Sequence, residues 1–290
     1  MADTENFSHT RRRARAPIFG YKVAPEASGA GDRRPASRKV ACMGFLDSWF
    51  KKKETASTKA PGQREMARFA RLVADKMSQT YDRQEAIEQL SRLRTPDSSA
   101  ALLKRFSWSM EPSITDQDEK EAAAKGIVAA GEAALEPLRA YCTKAESITW
   151  PLKVLRQIVP EERIVEELLG LLDEFDTEYM RNVEPKKQLL AALEEYPGGE
   201  VREAIEPFLT DISEPVRFAA VTSTFAMNDA AAVPALVEAL TAEESLRIKN
   251  RIAQGLCDRA WQVPESLRDA CREALPPDYA FDGELVGRAR

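Results

Sequence analysis

A chain of 290 residues with 43% apolar content can bury a substantial core, and its 42 Lys and Arg against 47 Asp and Glu leave a formal net charge of −5. The charge is unevenly placed: residues 1–60 hold 13 basic and 6 acidic residues, residues 61–290 hold 29 and 41. A basic tail before an acidic body argues against nucleic-acid binding along the body, and a single histidine, His9, leaves no donors for His-based acid–base catalysis or the usual zinc centres.

Composition also indicates helices. Glycine is sparse at 13 residues, segments alternating apolar and polar residues are rare, and Ala, Leu, Glu, Arg and Lys are abundant. An all-α chain is expected. Cys42, Cys142, Cys257 and Cys271 are far apart without a C-x-x-C pair, and three of them sit in helical apolar patterns as buried, reduced thiols. No run of about 18 apolar residues is present to span a membrane. Arg11-Arg12-Arg13 lacks the apolar stretch that would make it an export signal. A cytoplasmic location is expected.

Residues 1–63 are expected to form a disordered basic tail and linker, being rich in Arg, Pro, Ala, Gly and Ser. Within it, Met43-Gly44-Phe45-Leu46 reads like the beginning of a protein, so Met43 is the expected initiator. Phe45, Leu46, Trp49 and Phe50 share one helical face and are followed by Lys51, Lys52 and Lys53. Such a short basic, amphipathic element at 43–53 suits an anionic membrane or a groove on a partner. Its structural alternative is a plug folded against the first helices.

From Arg64 onward, amphipathic helices follow in succession. Met66, Phe69, Ala70, Val73 and Met77 mark the first. Ala86, Ile87, Leu90 and Leu93 mark the second, and Thr95 caps a third with Pro96 in its first turn. Thr115-Asp116-Gln117-Asp118 reads as a capping box for a helix that Gly131 ends, and Leu135, Leu138 and Cys142 face inward from its partner. Pro160 separates the helix of Leu152 and Leu155 from that of Ile164, Leu168 and Leu172. Pro197-Gly198-Gly199 similarly parts Gln188–Tyr196 from the helix of Val201, Ile205 and Phe208. Val216, Ala220 and Val221 pair with Val233, Leu236 and Leu240; Thr241 and Glu244 read as another capping box. Leu246, Ile248, Ile252 and Leu256 lead into the last pair, closed by Val263, Leu267, Cys271 and Leu275, and Pro276-Pro277 leaves 276–290 as a polar tail.

The pairs recur. Glu184-Pro185-Lys186-Lys187, Glu214-Pro215-Val216-Arg217 and Glu244-Ser245-Leu246-Arg247 start 30 residues apart, the mark of stacked supersecondary units. With Ala-x-x-Leu second helices such as Ala230-Ala231-Ala232-Val233-Pro234-Ala235-Leu236, these lines resemble bacterial HEAT-like repeat proteins. The resemblance implies a right-handed α-solenoid of about six helix pairs over 64–275, with second helices on the concave side. It also implies that Arg217 and Arg247 join a polar ladder between repeats.

Enzymes exist on this scaffold, and the residues speak against each. The iron site of deoxyhypusine hydroxylase needs His-Glu pairs, absent here. The HEAT-like DNA glycosylases use a basic concave face with tryptophans, whereas this body is acidic and Trp108, Trp150 and Trp261 fall near helix ends. Nothing singles out a bilin site of the lyase type. Asp173, Glu174, Asp176 and Glu178 lack the glycine and terminal glutamate of a calcium loop. No catalytic residue, cofactor or metal is expected. The expected role is a monomeric protein-interaction scaffold whose partner is a protein with a basic or mixed segment. Its candidate concave residues are Glu136, Arg139, Glu162, Glu166, Glu203, Glu206 and Glu238, each with a solvated charge as its structural alternative. The alternative function is a peripheral membrane or nucleic-acid adaptor working through the basic N-terminal segment.

Overall fold

The computed structural model describes residues 62–289. The expected tail, with Phe45, Leu46, Trp49, Phe50 and Lys51 to Lys53, lies outside the described residues. So does the question of Met43.

The described residues are mostly helical. Helix α1 (Gln63–Ala74) buries Phe69 and Val73. It stops one turn earlier than the apolar spacing suggests, because the Asp75 carboxylate accepts from the Met77 N–H at 2.9 Å and the Ser78 hydroxyl at 3.0 Å. That local turn competes with helix continuation and leaves Met77 exposed instead of inward.

Helix α2 (Thr80–Leu93) ends on Arg94 in the left-handed region, and α3 (Pro96–Leu103) starts from the expected Thr95 cap. Ser98 N–H donates to Thr95 Oγ1 at 3.2 Å while Thr95 N–H donates to Ser98 Oγ at 3.0 Å. This reciprocal pair satisfies two otherwise orphaned donors. Helix α4 (Ser113–Ala130) begins two residues before Thr115, after Pro112, so the expected capping box lies inside the helix, and Asp116 within it binds Arg105 and Lys120. Gly131 ends it at φ 61°, a conformation open to glycine at little cost.

The chain continues through α5 (Leu135–Cys142), α6 (Thr149–Ile158), α7 (Glu161–Leu172), α8 (Glu184–Leu193), α9 (Gly199–Ile205), α10 (Glu214–Ala226), α11 (Val233–Ala242), α12 (Leu246–Arg259) and α13 (Arg268–Ala274). The expected Thr241–Glu244 box does not form. Thr241 is inside α11, and the Glu243 carboxylate accepts from the N–H groups of Glu244 (3.0 Å) and Ser245 (2.8 Å). Leu246, expected inward, is exposed at the start of α12.

The helices form two layers. In the first, α2 packs on α4, α4 on α6, α8 on α10 and α10 on α12. In the second, α3 packs on α5, α7 on α9 and α11 on α13, with the 3-10 turn Glu206–Thr210 bridging from α9 to α11. Helix α1 covers both α2 and α3. Between the layers runs a continuous apolar core, from Val73 and Leu90 through Leu138, Leu155 and Leu168 to Val221, Leu240 and Leu256. Trp150 stacks on Phe106 at 5.6 Å, and Trp261 is tilted against Phe225 at 5.7 Å.

The expected polar tail is a hairpin. Helix α13 does end before Pro276-Pro277, but β1 (Tyr279–Asp282) then pairs antiparallel with β2 (Leu285–Arg288) across Gly283 at φ 66° and Glu284. A positive φ at the first loop residue suits the right-handed twist of a tight hairpin. Tyr279 and Val286 are buried against the last helices, β2 packs on α12, and Val263 N–H donates to the Glu284 carbonyl at 2.9 Å. The hairpin thus covers apolar surface at the end of the helical layers. The Asp282-Gly283 pair between Phe281 and Leu285 is its local signature.

Candidate functional site

The opening turns of the first helices, with the loops that lead into them, carry most of the interior charge. Glu119 of α4 is fully buried and accepts from Arg83 Nε (3.1 Å) and Nη2 (3.0 Å) of α2 and from Arg105 Nε (2.7 Å) in the turn after α3. Arg105 also donates to Asp116 Oδ1 at 2.7 Å, and Lys120 Nζ donates to Asp116 Oδ2 at 2.7 Å. The Trp108 ring lies 3.7 Å from the Arg105 guanidinium and 5.3 Å from that of Arg83. Every charge in this cluster faces an opposite charge, which is the condition for burying it.

The same arrangement recurs further along. Lys186 of α8 donates to Asp211 at 2.9 Å, with both side chains fully buried. Arg217 of α10 makes a two-pronged bond to Glu243 at 2.7 and 2.9 Å and donates to the Asp211 carbonyl at 2.9 Å. Arg247 of α12 donates to Glu214 of α10 at 3.1 Å and stacks on Phe218 at 3.7 Å. Arg217 and Arg247 therefore link consecutive pairs in opposite directions along the chain.

These carboxylates set an acid limit on stability. Burial pushes the Asp116 carboxyl up, but the bonds from Lys120 and Arg105 outweigh it and hold it below its ordinary value. For Glu243, burial is again the largest influence and is again outweighed by Arg217 and the Ser245 N–H. The Lys187 bond lowers Glu184. Carboxyls depressed on folding contribute stability that is complete above their unfolded values and is lost as pH falls through their folded values. Thermal denaturation should therefore give a midpoint that is level from about pH 7 to 5 and falls steeply below about pH 4. Arg217→Gln should make that fall shallower.

The candidate second-helix residues do not all remain open. Arg139 of α5 binds Glu167 of α7 through both prongs at 2.7 to 3.0 Å, and Glu136 lies 3.6 Å from the same guanidinium. Arg202 holds Glu206 and Glu203. Glu162, Glu166 and Glu238 are exposed, with no ion pair among the described residues. Part of the expected binding set is thus spent in bridges within the second layer.

Sequence reasoning missed an apolar edge. The exposed large apolar residues among those described are Met77, Tyr81, Ile114, Tyr179, Ile212 and Leu246. All six lie in the loops or first turns that open α2, α4, α8, α10 and α12. From Tyr81 onward their separations are 33, 65, 33 and 34 residues. The recurrence was readable as a spacing, but each residue belongs to a helix start where inward placement was the natural assumption. Ile148 fills the long gap and is buried, because its N–H donates to Gln188 Oε1 at 2.7 Å and Asn182 reaches across to the Glu146 carbonyl at 2.9 Å.

Other chemistry is muted. Burial pushes the Cys142 thiol up to about 12 and the Cys271 thiol to about 11, so neither is a ready nucleophile at neutral pH. Among the described residues no group of three or more His, Cys, Asp and Glu side chains is placed to hold a metal ion, and no helix is long and apolar enough to cross a membrane. Compared with models of known protein families and with curated proteins, the sequence matches none of them.

Proposed function

We propose that this chain is a HEAT-like α-solenoid, a right-handed superhelix of about six helix pairs, and works as a non-enzymatic scaffold for protein–protein interaction. In this reading it is a cytoplasmic monomer that holds a protein partner with a basic or mixed segment on the concave surface of its second helices. The observation that carries the reading is the succession of contacts: first helices meet first helices and second helices meet second helices at most steps, Arg139–Glu167 and Ile148–Gln188 bridge the middle step, and ion pairs tie α10 to α12 and to the loop before it. A scaffold of this kind offers a long, rigid surface on which many weak contacts act together. Glu162, Glu166 and Glu238 give that surface its acidic character, together with Glu203, whose side chain stays 70% exposed beside Arg202.

Affinity purification of the tagged full chain from its native host, read by mass spectrometry, tests the proposal. Glu162→Lys, Glu166→Lys, Glu203→Lys and Glu238→Lys together should lower partner recovery at least tenfold, while deletion of residues 1–60 should leave it unchanged. Undiminished recovery with the charge-reversed chain would remove the concave surface from consideration. The adaptor alternative rests on Phe45, Leu46, Trp49 and Phe50 beside three lysines. It would gain if that deletion abolished binding to anionic liposomes or DNA.

A further inference from the structure

We propose that the edge formed by Tyr179, Ile212 and Leu246 is a second docking surface, separate from the second-helix face, and that it takes an extended protein segment carrying apolar side chains between lysines or arginines. Single exposed apolar residues on a surface are ordinary and need no explanation. Here, instead, the exposed large apolar residues gather at one kind of position, and three consecutive helix pairs each contribute one: Tyr179 is 78% exposed, Ile212 60% and Leu246 58%.

The three positions are structurally joined. Ile212 N–H donates to the Thr177 carbonyl at 3.1 Å, which fastens the loop carrying Tyr179 to the loop before α10. Arg217 donates to the Ile212 carbonyl at 3.3 Å and to Glu243, which in turn holds the backbone just before Leu246. A cleft of about 320 Å³ lies between the last two loops, lined by Leu209, Ile212, Ala242 and Glu244 among others. The apolar groups are therefore presented on a braced edge, which lowers the ordering entropy a partner must overcome.

Charge selects the occupant. The ion pairs at this edge are Lys186–Asp211, Lys187–Glu184, Arg217–Glu243 and Arg247–Glu214. They leave Asp173, Glu174, Asp176, Glu178 and Glu244 outside any pair among the described residues, against two cations so placed, Arg181 and Lys249. An acidic border beside apolar anchors attracts a cationic segment and repels acidic peptides and anionic lipid. Packed helices stand about 8–10 Å apart, and a chain in the extended polyproline II form rises about 3.1 Å per residue with about three residues per turn. Apolar side chains every third residue would thus share one face and meet successive loops.

The probe is a fluorescent peptide, Lys-Leu-Lys-Lys-Leu-Lys-Lys-Leu-Lys, titrated against the full chain by anisotropy. Tyr179→Ser, Ile212→Ser and Leu246→Ser together should weaken its binding at least tenfold, with unchanged circular dichroism because all three side chains are exposed. Glu174→Gln, Glu178→Gln and Glu244→Gln should flatten the salt dependence. Hydrogen exchange should show peptide protection at 176–180, 210–214 and 243–248, and the concave charge reversal should leave the peptide affinity within twofold. Equal affinity for the serine variant, protection located on the second helices, or equal binding of a peptide with Glu in place of Lys would each overturn the proposal. So would concentration-dependent self-association of the parent that the serine variant lacks, which would assign the edge to a second copy of the chain.

Discussion

Glu119→Ala should destabilise the protein by about 3–5 kcal/mol, the range expected when one partner leaves a buried ion pair. Its carboxylate is the common acceptor of Arg83 and Arg105, and the two arginines are 1% and 0% exposed. Removing it leaves the Arg83 guanidinium with neutral partners, namely the Ser78 carbonyl, Thr80 Oγ1 and Met110 Sδ. Arg105 keeps Asp116. The loss should be read by urea denaturation together with hydrogen exchange, because a stack of helix pairs can open locally before it unfolds throughout. Protection in α2 and α4 should fall first. Glu88→Ala breaks the exposed pair with Arg92 and should be nearly neutral, as surface pairs are. A Glu119→Ala loss below about 1 kcal/mol would mean that the cluster does not hold α2 to α4. Replacing Arg83, Arg105 and Glu119 together with apolar residues of similar volume should recover much of the loss, since what is costly is the unmatched charge.

Gly255→Ala should destabilise although it improves helix propensity. An added Cβ would lie 2.3 Å from two carbons of the Phe225 ring, well inside contact distance. That ring is fully buried, packs on Trp261, and has the Arg259 guanidinium 4.9 Å away while Arg259 Nη2 holds the Phe225 carbonyl at 2.6 Å. It has little room to retreat. Overpacking of this kind costs about 1–3 kcal/mol, against a gain of about 1 kcal/mol from replacing glycine in a helix interior. Phe225→Ala alone should lose about 3–5 kcal/mol through its cavity. In a Phe225→Leu background, Gly255→Ala should become neutral or favourable, and the double-mutant cycle would isolate the contact. An unchanged penalty in that background would place the strain elsewhere.

The helices themselves were legible because each repeats an apolar face at helical spacing. Phe69 and Val73, Leu135 and Leu138, and Val233 and Leu236 are buried as their spacing requires. Stops were legible where a residue's own chemistry decides them, as at Thr95-Pro96, Gly131 and Pro160. Caps that depend on competition were not. The boxes read at Thr115–Asp118 and Thr241–Glu244 do not form because both threonines lie inside helices, while the neighbouring Asp116 and Glu243 are held by arginines from other segments. The hairpin escaped notice because two four-residue strands carry too little periodicity to outweigh an otherwise helical composition. The candidate binding residues were placed on second helices from pattern alone, and pattern cannot tell that Arg139 turns to Glu167 instead of to solvent.

The amino-acid order by itself determined the helices, their pairing and the 30-residue rhythm, since all three follow from side-chain spacing within a segment. Tertiary structure alone decided which charges go inside and which apolar groups stay out. Arg83, Lys186 and Glu119 are residue types that belong on surfaces, and they are buried because partners 14 to 36 positions away neutralise them. Tyr179, Ile212 and Leu246 belong inside by type, and they stand in solvent because the loops and helix start that carry them are held at the edge of the layers by hydrogen bonds within each loop and from neighbouring pairs.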